Sequence, residues 1–304
     1  MHHLIFITIC VICGSNFVLM KWAYAAFGPI GVGAGRVLGG AGVLWVLWVF
    51  WILSKKWAGE KDATATQGKS FRGGDWLALM VPVVIGSIYP YIAQPYLIGK
   101  HQDSAFFGMM VCLVPLLTIV ASVPMLRVWP TFRQGGGVLL GLACMVLLMR
   151  DGQVRGMSGL DLMLAVLVPL SYAVSNTFIK RRLSQMSPVF MTAMILGLTS
   201  LVITPIGVVA EGIKPVSGPE LWEALLVLAW LGVVGTGIAT VMFYRLIQTH
   251  GPLYAGMVTY VIPLGALAWG WFDDEVVTGT QLLALVGVFA AIAMVQWPNR
   301  KADL

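Results

Sequence analysis

The sequence predicts an all-α membrane protein with ten transmembrane helices, arranged as two inverted repeats of five helices each. Three observations lead to this prediction. Of the 304 residues, 59% are hydrophobic and only 11% are charged, whereas a soluble domain carries about 25% charged residues. The mean hydropathy is +0.87, and the apolar residues fall into ten stretches. The second half of the chain also repeats features of the first half. This composition excludes an ordinary soluble enzyme.

The ten candidate spans follow from the roughly 20 apolar residues that a helix needs to cross the hydrocarbon core of a bilayer. The fifth span is the weakest prediction because its clean apolar part, residues 135–149, is short. The longest polar connection, residues 54–75, is predicted to be a flexible cytoplasmic loop, and it lacks a complete phosphate-binding motif. The spans lie near residues 4–26, 30–53, 76–98, 104–126, 132–150, 159–179, 189–210, 220–244, 252–272 and 279–297.

The distribution of basic residues predicts the orientation, because short loops rich in Lys and Arg remain on the cytoplasmic side. With the N-terminus inside, most of the 19 basic residues lie in cytoplasmic segments, and both termini are predicted to be cytoplasmic. These charges are spread over many loops, which argues against nucleic acid as a partner. The predicted outer loops hold only Lys100, Arg150, Arg155 and Lys214.

An internal repeat relates the two halves, predicted as residues 1–150 and 159–297. A shift of 160 residues pairs Ser15-Asn16 with Ser175-Asn176. Because five is an odd number, the second copy enters the membrane from the opposite side. Inverted repeats of this kind build alternating-access transporters, with the substrate near the midplane between the halves. A shift of 148 residues pairs Tyr96 with Tyr244, Gly108 with Gly256, Met109 with Met257, and Pro115 with Pro263.

Two groups of residues also carry a resemblance to a known family. One is the run 14–18 with Lys21, Gly28-Pro29 and Arg36; the other is the pair of runs 108–115 and 256–263, the second followed by Asp273, Asp274 and Glu275. These groups resemble the opening and the fourth-helix motif of the EamA-type repeat in the drug/metabolite transporter superfamily. The first repeat departs from the pattern, because residues 127–130 replace the usual acidic residue.

The resemblance covers essentially the whole chain, and it implies a ten-helix exporter or exchanger of small metabolites. The YddG branch, which exports aromatic amino acids, is similar in length and in the arrangement of Gly-Met followed by Pro. This similarity implies a neutral or aromatic amino acid as substrate and the inner membrane of a bacterium as location.

Polar side chains at membrane depth are energetically costly, so each is a candidate for a water-lined path. Asn16 lies near the predicted middle of the bilayer and is the strongest candidate; an interhelical hydrogen bond is its alternative role. For the serines, hydrogen bonding to their own helix needs no substrate and is the favoured explanation. The other substrate-binding candidates are Tyr89, Tyr91, Gln94, Ser171, Ser175, Asn176, Thr236, Thr240, Tyr244, Thr259 and Tyr260, and the predicted hinges are Pro90, Pro95, Pro115 and Pro263.

Charged residues predict how transport is driven. Lys21 and Arg36 lie toward the outer ends of their helices, where snorkelling to the interface is the cheaper explanation; the alternative is that one of them binds a substrate carboxylate. No Asp or Glu lies in the central part of a predicted helix, as a proton relay would require. The sequence therefore predicts a facilitator or exchanger of a net-neutral or zwitterionic solute. A proton-coupled drug or nucleotide-sugar carrier is the alternative.

An intramembrane enzyme is the alternative from another class, and the sequence argues against it. Intramembrane proteolysis needs a buried Ser and His, whereas His101 and His250 lie in predicted loops. Cys10 and Cys13 form a CxxC motif without a second ligand pair. We therefore predict no catalytic residues, no metal and no cofactor. The predicted partners are a small-molecule substrate and the lipid bilayer, and no sequence signal indicates an oligomeric state.

Overall fold

The structure is a computed structural model that describes residues 2–57, 73–127, 129, 131–149, 157–211, 219–256, 258–259 and 278–296. Within these ranges the chain is helical and contains no strand. The bounds of the predicted helices agree with the observed ones to within a few residues over most of this part of the chain. Tyr260, Pro263 and the acidic cluster at 273–275 lie outside the described residues.

The first helix, α1 (His2–Trp57), consists of two helical arms that meet at Gly28. Gly28 adopts φ +71°, a left-handed conformation that glycine reaches without the steric penalty of a Cβ atom. Pro29 then begins the second arm, where its missing N–H costs no intrahelical hydrogen bond. The predicted boundary between the first two spans therefore lies at this Gly-Pro pair. We call residues 2–27 the first arm and residues 29–57 the second arm.

Two long helical rods each contain a short π-helical interruption. The first rod consists of α2 (Gly73–Val83), a π segment at Val84–Ile88, and α3 (Tyr89–His101). The second consists of α9 (Pro219–Gly232), a π segment at Val233–Ile238, and α10 (Ala239–His250). The first π segment begins Val-Ile-Gly-Ser and the second begins Val-Val-Gly-Thr. The interruptions therefore fall at corresponding places in the two halves of the chain.

The remaining helices complete the bundle. A 3-10 turn at Val111–Leu113 separates two of them, α4 and α5, and Pro115 follows at the start of α5. Residues 54–57 and 73–75, at the ends of the predicted cytoplasmic loop, are helical, and residues 58–72 lie outside the described part. The bounds are α4 (Ser104–Met110), α5 (Val114–Leu126), α6 (Phe132–Met149), α7 (Gly159–Arg182), α8 (Pro188–Glu211), α11 (Pro252–Gly256) and α12 (Gly279–Gln296).

Five helical stretches are long and apolar enough to cross a membrane, so the chain is a multi-pass membrane protein. Large apolar side chains on the outside of the bundle, such as Phe50, Leu226 and Val286, are exposed, as lipid-facing positions would be. The total of ten spans remains a prediction. The five stretches are Ala26–Phe50, Trp76–His101, Gly159–Arg182, Pro188–Glu211 and Leu221–His250, and shorter apolar helices occur at Val114–Leu126, Gly135–Cys144 and Gly279–Ala291.

Helix α1 is central to the packing, because it lies against α8, α9 and the second π segment. Glycine permits the close approach: a Cβ atom built on Gly39 would lie 3.3 Å from the Cα atom of Gly232. At its beginning, the second arm is capped by Glu211 from the end of α8, whose carboxylate accepts hydrogen bonds from the backbone N–H groups of Ile30 (2.9 Å) and Gly31 (2.7 Å). A carboxylate at a helix N-terminus satisfies otherwise unpaired donors and interacts favourably with the helix dipole.

Candidate functional site

A cavity of about 150 Å³ lies between the two π segments and is enclosed by both arms of α1 and by α3, α5, α7, α8 and α10. Its lining combines aromatic rings with amide and hydroxyl groups, and no Asp or Glu is among the described residues that line it. The structure brings together these residues predicted from the sequence: Asn16, Tyr91, Gln94, Asn176, Thr240, Tyr244 and Thr259.

Asn16, on the first arm of α1, contacts the second π segment. Its Nδ2 donates a hydrogen bond to the backbone carbonyl of Gly235 at 3.2 Å, across 219 residues of sequence. The absence of a side chain at Gly235 permits this approach, because a Cβ atom there would collide with the Asn16 amide. Asn16 is 6% exposed, and its Oδ1 has no hydrogen-bond partner in the described part of the protein. Asn16 therefore joins two helices and also presents a free acceptor.

Arg36, on the second arm of α1, lines the same cavity and is 5% exposed. Its Nε donates to Thr236 Oγ1 at 3.3 Å, its Nη1 contacts Met20 Sδ at 2.8 Å, and its Cζ lies 5.4 Å from the centre of the Tyr91 ring. The prediction that Arg36 snorkels to the interface is therefore wrong. The physical reason is that Arg36 faces α9 and the second π segment, so its side chain points into the protein.

Four predicted site residues make contacts outside the lining of the cavity. Tyr89 donates its hydroxyl to the carbonyl of Leu164 at 2.7 Å. Ser171 donates to Val168, one turn earlier in its own helix, at 2.7 Å, and Ser175 packs against Gly86 in the first π segment. Thr236 donates to the carbonyl of Leu231 at 2.7 Å, five residues back, and thereby leaves its oxygen to accept from Arg36. None of these four lines the cavity.

Several lining residues were not among the predicted site residues: Cys13, Phe17, Arg36, Ser87, Tyr172 and Phe243. Ser87 follows the glycine of the first π segment, as Thr236 follows Gly235 in the second. An alignment of the two halves shifted by 149 residues, one more than the shift that pairs Tyr96 with Tyr244, would have identified Ser87 on this basis. The sequence identified Arg36 as a charged residue within a predicted helix, but its inward orientation, like that of Tyr172, depends on how the helices pack.

Two of the predicted hinge prolines, Pro90 and Pro115, lie near irregular backbone. Pro90 is the second residue after the first π segment, and Pro95 lies in the regular helix α3. The irregular turn therefore precedes both prolines. Pro115 follows the 3-10 turn at Val111–Leu113 and faces Gly256, where an added Cβ atom would lie 3.1 Å from the proline Cγ. Hinge motion at these residues remains a prediction.

Ionic and polar contacts connect the helices that surround the cavity at their ends. Lys100, at the end of α3, lies 2.9 Å from the carboxylate of Asp161 near the start of α7, and His101 Nε2 lies 3.2 Å from the same carboxylate. At the other end of α7, Lys180 donates to the carbonyl of Gln248 in α10 at 2.7 Å. Helix α7 is therefore tied to α3 at one end and to α10 at the other.

Comparisons with known proteins agree with the fold. One solved structure, described as "Crystal structure of protein", superposes with a TM-score of 0.66 at 16% sequence identity, over 97% of this chain and 96% of that chain. No curated protein matches the sequence. The EamA-like transporter family matches twice, over residues 1–150 and 160–297, which together account for nearly the whole chain. With its two helical repeats and its apolar helices, this chain belongs to the EamA-like transporter family, a family of membrane transporters.

Proposed function

We propose that this transporter exports or exchanges small neutral or aromatic amino acids by alternating access through the cavity between its two repeats. The observation that carries the proposal is the lining of the cavity. Aromatic rings, amides and hydroxyls surround it, and the described lining residues include a guanidinium and no carboxylate. Such a set suits a solute that has an apolar body and a few polar groups to orient it.

The two halves are inverted in this proposal, and ten spans cross the inner membrane of a bacterium with both termini in the cytoplasm. The π segments support the arrangement, because each half contributes one segment that is contacted by the other half: Asn16 contacts Gly235, and Ser175 contacts Gly86. Irregular helical turns of this kind frequently occur at functional sites. Rocking of one half against the other then opens the cavity to each side in turn.

Transport is uncoupled from protons in this proposal. A proton relay within the membrane normally requires an ionisable carboxylate facing the pathway. The carboxylate of Glu211, the last residue of α8, accepts hydrogen bonds from the start of the second arm of α1. The carboxylate of Asp161 is paired with Lys100 and His101. Neither residue lines the cavity. The gradient of the solute itself therefore drives net movement.

Counterflow in liposomes containing the purified protein tests the proposal. Labelled tryptophan, phenylalanine, threonine and a nucleotide sugar are each supplied with and without a pH gradient. We expect exchange of the amino acids, aromatic ones most rapidly, at rates that do not depend on the pH gradient. Uptake that requires the gradient would contradict the uncoupled mechanism, and exchange of only the nucleotide sugar would contradict the proposed substrate.

A further inference from the structure

Arg36 is a buried cation for which the described structure provides no counter-ion. A guanidinium has five N–H donors and remains protonated in proteins. Two of its nitrogens contact Thr236 and Met20, and the Tyr91 ring lies beside the group. No described residue accepts a hydrogen bond from Nη2, and no described carboxylate forms a salt bridge with Arg36. A buried charge is costly unless it is paired, so the group is suited to an anion that enters the cavity.

Asn16 supplies a second, independent indication of a ligand. Its Oδ1 is buried against Gly235, in a residue that lines the cavity, and it has no partner among the described residues. Buried polar atoms in folded proteins are almost always hydrogen-bonded. The Nδ2 of the same amide is held by the carbonyl of Gly235, which leaves Oδ1 as an oriented acceptor. This acceptor is suited to an N–H donor such as an ammonium group.

The two side chains are anchored on consecutive residues of the second π segment. Asn16 is bound to Gly235 and Arg36 is bound to Thr236. A free acceptor and a guanidinium are therefore both held at the second π segment, in two residues that line the same cavity. An α-amino acid carries its ammonium and its carboxylate on the same carbon atom, so one molecule can reach both groups at once. Carboxylates bind guanidinium groups through strong charge-assisted hydrogen bonds.

We infer that Arg36 binds the α-carboxylate and Asn16 Oδ1 the α-ammonium of the transported amino acid, an inference that rests on the proposed function. The side chain of the substrate then lies among Phe17, Tyr172 and Phe243, which line the cavity. Organic cations that lack a carboxylate are rejected, because they would leave Arg36 unpaired and would add a second positive charge. The substrates are therefore zwitterionic α-amino acids with apolar or aromatic side chains.

Competition in the counterflow assay tests both contacts in the unmodified protein. Three competitors are compared against labelled phenylalanine: unlabelled phenylalanine, phenylalaninamide, which lacks the carboxylate, and 3-phenylpropionate, which lacks the ammonium. We expect each truncated compound to inhibit at least about tenfold more weakly than phenylalanine, since a site built to bond a polar group discriminates strongly against analogues without it. Equal inhibition by either compound would overturn the corresponding contact while leaving amino acid transport intact.

Two variants assign the contacts to their residues. In Arg36→Met, the ratio of inhibition constants between phenylalaninamide and phenylalanine should fall toward one. In Asn16→Leu, the corresponding ratio between 3-phenylpropionate and phenylalanine should fall toward one. Ligand-induced stabilisation of the purified variants, measured by thermal unfolding, reports binding even where transport is slow. Arg133→Met is the matched control, because it removes a positive charge from an exposed position at the start of α6.

The outcomes separate the inference from the proposed function. If Arg36→Met folds and keeps a tenfold preference for phenylalanine over its amide, the assignment of Arg36 is wrong although the protein is an amino acid transporter. If the unmodified protein exchanges no amino acid, the proposed function fails and the inference fails with it. If Arg36→Met does not fold, the competition series on the unmodified protein still decides whether the carboxylate is recognised.

Discussion

The two π segments occupy corresponding places in the two halves, yet their surroundings differ. In the first segment, Gly86 is covered by Ser175 of the second half, and the contact is tight packing. In the second segment, Gly235 is covered by Asn16 of the first half, which adds a hydrogen bond and an unpaired acceptor. The same backbone irregularity therefore accommodates tight packing on one side of the cavity and a polar contact on the other.

The two halves also differ in the charge that they present to the cavity. Thr236 in the second π segment accepts a hydrogen bond from Arg36, and a shift of 160 residues places Leu196 at the position that corresponds to Arg36. Both residues line the cavity. One half thus presents a cation where the other presents an aliphatic side chain.

Gly86→Ala should have the largest effect on folding. The new methyl group would lie 2.6 Å from the Cβ atom of Ser175, which cannot rotate away. We expect a loss of about 1–3 kcal/mol in stability, typical of overpacked sites, and a lower yield of folded protein. Thermal unfolding of the purified protein measures this. Gly42→Ala is the control, since a Cβ atom there meets nothing within 4 Å, and a Gly86→Ala variant as stable as the control would contradict the packing role.

Gly235→Ala should affect transport more than folding. The added methyl would displace the Asn16 amide, which can rotate because it is the end of a flexible side chain, so the folded protein should persist. We expect transport to fall about tenfold, equivalent to the loss of one hydrogen bond worth about 1.4 kcal/mol. Counterflow at equal amounts of folded protein is the measurement. A greater loss of stability than in Gly86→Ala would reverse the comparison between the two segments.

Asn16→Leu and Asn176→Leu compare the two related asparagines. Both line the cavity, but only Asn16 has a buried oxygen without a partner among the described residues. We expect about a tenfold loss of transport at Asn16 and about a threefold loss at Asn176, scaled to hydrogen bonds of roughly 1 kcal/mol. Equal losses in counterflow would indicate that the two halves contribute equally to binding.

Tyr89→Phe should have the smallest effect. It removes the hydroxyl that donates to Leu164 at 2.7 Å, a partly buried contact outside the cavity lining. We expect a decrease in stability of about 0.5–1.5 kcal/mol and unchanged transport, measured by thermal unfolding and counterflow. A severalfold loss of transport in a stable variant would indicate that Tyr89 binds the substrate after all.

Hydropathy was sufficient to place most of the described helices, including the boundary between the first two spans where α1 breaks at Gly28, because hydropathy is a local property of the chain. The π segments were not predicted, since their residues are as apolar as the rest of each helix. Tyr89 and Ser171 were predicted to bind substrate on the basis of residue type, and hydrogen bonding to their own helix was the alternative for the serines. In the structure Tyr89 donates to the carbonyl of Leu164, and Ser171 donates within its own helix, as that alternative predicts. Residue type alone does not distinguish these two uses.

The amino-acid sequence by itself determined the membrane class, the positions of most helices, the duplication and, through its motifs, the transporter family. These properties depend on composition and on short-range pattern. The tertiary structure decided which polar groups meet. Asn16 contacts Gly235 across 219 residues, and Arg36 is buried rather than extended to the surface, because the close packing of α1 against α9 and the second π segment sets the direction of both side chains.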